Sequence, residues 1–87
     1  MTALRPSDPV VVWLADGKPI RFVWRGKHFT VTDAPTPIRE TTGVAGPTHP
    51  TERLVGWRFQ GTSAANSFVF DIHGDRHSGW RLVAVYS

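Results

Sequence analysis

The feature that most constrains this chain is the two-residue period of its apolar side chains, interrupted again and again by tight-turn residues. In IRFVWR (20–25), Ile20, Phe22 and Trp24 fall on one side and Arg21, Val23 and Arg25 on the other. That alternation marks a strand with one buried face. Arg25-Gly26 reads as a turn, because glycine reaches positive φ at no steric cost. KHFTVT (27–32) then resumes the pattern, with Phe29 and Val31 set against His28, Thr30 and Thr32. PVVVWLA (9–15) precedes this pair and joins it through Asp16-Gly17, a strong hairpin signal.

Three more segments carry the same code. RLVGWRFQ (53–60) groups Val55, Trp57 and Phe59, SFVFDI (67–72) groups Phe68, Phe70 and Ile72, and WRLVAVY (80–86) closes the chain. GTSAAN (61–66) and HGDRHSG (73–79) read as polar connectors. Helical periodicity is nearly absent. Short strands in a chain of 87 residues favour closure, because a barrel removes exposed edges. The expected fold is all-β: a small antiparallel barrel or strongly curved sheet of five to six strands. An SH3-like barrel is preferred to an OB-like one, since no helix is available to plug an end. Residues 1–8 read as a flexible tail and 9–87 as a single β domain. Within it, 33–52 reads as a long Pro/Gly-rich loop holding Pro35, Pro37, Pro47 and Pro50, with at most a turn of helix or a short strand around Ile38–Thr42.

Four Trp and five Phe can supply much of a core in so short a chain. The absence of cysteine excludes disulfide staples and thiolate metal sites and fits a reducing compartment. No apolar run reaches the length of a signal peptide or a membrane span, so the expectation is a cytoplasmic protein with no membrane partner. A formal net charge of +3 is mildly basic: compatible with nucleic acid, and equally with plain solubility.

Two sets of residues are candidates for binding. Arg21, Arg25, Lys27, Arg58 and Arg81 occupy outward strand or turn positions and, on one face, would form a basic stripe for a single-stranded backbone. The competing reading is that they simply solvate the sheet and pair with Asp71, Asp33 or Glu52. Trp13, together with Pro35, Pro37 and Ile38 of the Pro-rich segment, are the candidates for contact with a protein, through an exposed ring, an edge strand or an extended segment. Asp71, His73, Asp75 and His77 alternate in a way that suggests a metal, but Gly74 argues against a helix and the spacing places no third ligand, so no metal is expected. Ser63, Ser67 and Ser78 lack a nucleophile context, and Gly43, Gly46 and Pro47 lie in no strand-to-helix transition. Neither an enzyme nor a cofactor is expected.

Asp16–Pro19 (D-G-x-P), Phe22–Val31 (F-x-W-R-G-K-x-F-x-V), Trp57–Arg58 and the terminal strand Gly79–Tyr86 together resemble a small actinobacterial domain family of unknown function. Some of its members are associated with Y-family translesion-polymerase-like proteins. This chain departs from that pattern at 33–52, where a shorter connection is the rule. The resemblance implies a genome-maintenance setting and no activity. The expected function is therefore a small non-enzymatic interaction module, monomeric or weakly dimeric, that docks to a protein partner in that setting. The alternative is low-specificity binding of single-stranded nucleic acid through the arginine-rich face.

Overall fold

A computed structural model describes residues 3–42 and 51–87 of the chain. Among the described residues there are eight strands and no helix: β1 (Ala3–Leu4), β2 (Asp8–Ala15), β3 (Lys18–Trp24), β4 (Lys27–Val31), β5 (Thr36–Thr42), β6 (Thr51–Ser63), β7 (Asn66–Asp75) and β8 (Gly79–Tyr86). Strands β2, β3, β4, β6, β7 and β8 pair in that order, each antiparallel to the next, and β8 returns to β2. The fold is thus a closed antiparallel barrel of six strands, a meander. β5 is an additional strand on the same edge of β6 that β4 uses: β4 takes Gly61 and Thr62, and β5 takes Thr51 to Arg58.

Turn chemistry fixes the hairpins. Asp16 and Gly17 have φ of 52° and 76°, and Arg25 and Gly26 have 51° and 78°. Positive φ at both central residues is the type I′ geometry, whose twist matches that of the flanking strands. Two segments differ from expectation. Ala3–Leu4 pair with Val85 and Tyr86, and Asp8 already belongs to β2, so the expected tail at 1–8 is in part sheet. The expected loop at 33–52 contains β5, because Pro37 sits on a strand with one free edge, where a missing N–H breaks no ladder. Its remainder, with Gly43, Gly46, Pro47 and Pro50, lies outside the described residues.

The interior is a cluster of rings. Phe22 and Phe70 are fully buried, as are Ile72 and Leu82, with Phe59 and Phe29 nearly so. Phe70 is the hub: its centroid is 4.7 Å from that of Phe22 and 5.0 Å from that of Phe29, and Trp24, Phe59 and Phe68 close around it. Space for these rings comes from Gly61, whose hypothetical Cβ would lie 2.8 Å from Phe70 Cε2 and 3.1 Å from Phe22 Cε1. Gly61 to Ser63 were expected in a connector and instead continue β6 to the next turn.

Strict alternation fails at Ile20. Trp13 pairs with Arg21 and Leu14 with Pro19, which leaves Ile20 as the extra residue of a bulge. Pro19 turns inward and is buried, while Ile20 turns outward and is 46% exposed. Phe70→Ala should therefore cost about 3–5 kcal/mol, whereas Ile20→Thr should stay within about 0.5 kcal/mol. Urea denaturation of both variants checks this, and comparable losses would contradict the bulge. Gly61→Ala should cost about 1–3 kcal/mol through overpacking, part of it recovered by adding Phe70→Leu.

Candidate docking cleft

The five cations proposed as phosphate contacts do not gather into one unpaired stripe. Arg58 on β6 reaches across to Asp71 on β7, with Nε 2.6 Å from Oδ1 and Nη2 2.8 Å from Oδ2. The Tyr86 hydroxyl donates to Asp71 Oδ2 at 3.1 Å, and the guanidinium lies 5.3 Å from the Tyr86 ring centroid. Arg25 donates to Asp8 Oδ2 at 2.9 Å and covers the Trp24 ring, whose Nε1–H donates to the same oxygen at 2.8 Å. Arg81 donates to the Ser7 carbonyl. Arg21 lies over the Trp13 ring at 5.8 Å, and Lys27 stands beside Phe29 and Phe68 at the barrel end that carries the β3–β4 turn. Among the described residues, Arg21, Lys27 and Arg81 have no ion pair.

Asp71 faces outward, as alternation predicts, yet it is buried, because Arg58 and Tyr86 close over it. Burial alone would raise its carboxyl pKa; the hydrogen bonds from Arg58 and Tyr86 and the positive charge of Arg58 outweigh that and hold it below the ordinary aspartate value. The same partnership raises the pKa of Arg58. Asp75 is fixed differently: its Oδ1 accepts from the backbone N–H groups of Ser78 at 2.7 Å and His77 at 2.8 Å and from the Ser78 hydroxyl at 2.9 Å. These bonds lower its pKa and pin the β7–β8 turn. Among the described residues no group of three or more His, Cys, Asp or Glu is arranged to hold a metal ion.

The opposite end of the barrel is uneven, and this creates a cleft. β8 starts at Gly79 and meets β2 only at Asp8 to Val10, so the stretch from Val11 to Ala15 pairs with β3 alone. β6 behaves likewise: β7 pairs with it from Gly56 onward, which leaves Thr51 to Val55 paired with β5 alone. At Gly56 the two backbones are so close that a Cβ would collide with the Ile72 carbonyl oxygen. Two hairpins thus overhang the β7–β8 turn. Between them lies a cleft of about 240 Å³ lined by Leu14, Leu54, Trp57 and Trp80, with Arg76 and His77 at its side. On the outer wall of the β2–β3 hairpin, Val11 is 60% and Trp13 42% exposed.

The open edges of β5 and β2 differ in chemistry. β5 carries Pro37, Arg39 and Glu40, the proline and charges that discourage strand pairing. Val11 to Ala15, VVWLA, has neither. Of the residues expected at a protein contact, Trp13 lies on this open stretch. Pro35 is half-buried before β5, Pro37 is exposed opposite Trp57, and Ile38 is half-buried opposite Gly56; none of the three lines the cleft. Leu14, Leu54, Trp57 and Trp80, which do, were read from sequence only as strand residues. No helix among the described residues is long and apolar enough to cross a membrane.

Arg58→Ala strands a buried carboxylate and should cost about 1–3 kcal/mol at neutral pH, most of it recovered by the double replacement Arg58→Met, Asp71→Leu. Because the folded-state pKa of Asp71 is depressed, its contribution is present above the unfolded value of about 4 and is lost as pH falls through the folded value. Denaturation midpoints measured from pH 6 down to pH 2 should fall less steeply for Asp71→Asn than for the parent. No family model matches the chain, and neither a curated protein nor a solved structure does.

Proposed function

We propose that this protein is a non-enzymatic docking module that takes an extended segment of a protein partner against the open edge of β2. The observation that carries this reading is the unpaired run Val11 to Ala15, free of proline and charge, beside an apolar cleft lined by Leu14, Leu54, Trp57 and Trp80. A segment added there forms main-chain hydrogen bonds with β2 and places alternate side chains over the cleft and beside Trp13. The setting that accompanies this reading is genome maintenance, which the resemblance carried by Phe22–Val31 and Gly79–Tyr86 implies. A second reading, contact with single-stranded nucleic acid, draws on Arg21 over the exposed Trp13 ring and on Lys27. It is weakened by the carboxylates that occupy Arg25 and Arg58.

Amide-resolved NMR titration separates the two. An extended peptide of alternating Val and Thr should shift Val11 to Ala15 and Leu54, and Trp13→Ala should weaken that binding about tenfold or more. The denaturation midpoint of the variant should stay near that of the parent. If peptides produce no shifts while a short oligonucleotide shifts Arg21, Lys27 and Arg81, steeply less at about 200 mM than at about 50 mM salt, docking is the wrong function.

A further inference from the structure

Resting on the docking reading, we infer that the segment taken up by β2 is acidic: apolar side chains toward the cleft, carboxylates at the alternate positions and at its end. Both faces of the open edge present apolar surface and one arginine. On the outer face Arg21 covers Trp13, opposite it in the β2–β3 register. At the cleft side Arg76 stands in the β7–β8 turn beside Leu14 and Trp80. Neither guanidinium has a carboxylate partner among the described residues.

Among the described residues, the nearby acids form no ion pair with these guanidiniums. Asp75, the acid lining the same cleft, has its Oδ1 held by three donors of its own turn and makes no ion pair with Arg76. Asp16 and Lys18 flank Gly17 at the hairpin tip with opposite signs, and Glu52 and Arg53 are neighbours of opposite sign on β6. What remains is Arg21, reaching over Trp13 from β3 on the outer face, and Arg76 on the cleft face of the open edge. A carboxylate meeting either is a charge-assisted contact, with bidentate geometry open to it. A second copy of this chain fits less well, because two chains each of net charge +3 would bring like charges together.

The test uses three extended peptides with the same Val positions and Glu, Thr or Lys at the alternate ones and at the end beside the β7–β8 turn, titrated into the intact protein. The Glu peptide should bind about fivefold more tightly than the Thr peptide, as two exposed ion pairs allow, and the Lys peptide most weakly. The double variant Arg21→Gln, Arg76→Gln should bring the Glu and Thr peptides to the same affinity while leaving the thermal midpoint in place. Equal affinities for the three peptides in the parent protein would overturn the acidic preference and leave docking intact. Absence of binding by all three would overturn docking itself. Shifts of Val11 to Ala15 that grow with protein concentration and need no peptide would assign the edge to a second copy instead.

Discussion

The packing of Phe70 against Phe22 and Phe29, over the bare Cα of Gly61, is the contact on which the rest of the molecule depends. A six-stranded barrel encloses little volume, and here that volume is filled by rings in edge and stacked contact. The strands bend around this cluster because glycine at position 61 lets β6 pass closely over two rings at once. Closure then gives every barrel strand a neighbour on both sides over part of its length. The longest unpaired stretches are those that project beyond the cylinder, on the overhanging hairpins.

Arginines that look like ligands in the linear sequence serve two purposes in the fold. Arg58 and Arg25 each bring a guanidinium to a carboxylate on a neighbouring strand while lying over an aromatic ring. In each case the ring also donates a hydrogen bond to that carboxylate, from Tyr86 to Asp71 and from Trp24 to Asp8. Each three-membered set ties strands together: Arg58, Asp71 and Tyr86 on the outer wall, and Arg25, Asp8 and Trp24 at the end of the barrel, where the Trp24 ring also packs against the core. Arg21 has the ring and, among the described residues, no carboxylate.

The strand pattern, the two type I′ turns and most of the core were legible because they rest on local rules. Alternation identified Phe22, Phe29, Phe59, Phe70 and Ile72, and the Asp-Gly and Arg-Gly dipeptides located their turns. Ile20 was misplaced because a bulge adds one residue without changing composition, and everything beyond it changes face. β5 was read only as a turn of helix or a short strand around Ile38–Thr42 within a loop, because Pro37 weighs against a strand unless the edge it occupies is known to be free. Asp71 was placed on the correct face but not at the correct depth, since its cover comes from residues 13 and 15 positions away. The cleft was least legible. It depends on how far the β2–β3 and β5–β6 hairpins overrun the β7–β8 turn, an offset set by long-range register that no short window contains.

The contrast between the guarded edge of β5 and the open edge of β2 also limits how this protein can assemble. A subunit with two adhesive edges can polymerise without end, as fibre-forming sheets do. Here the other described edges resist addition: β5 presents Pro37, Arg39 and Glu40, the stretch of β6 without a β7 partner carries Glu52 and Arg53, and β1 is two residues long. The bare apolar run Val11 to Ala15 is thus set apart from edges that proline, charge or shortness keep from pairing.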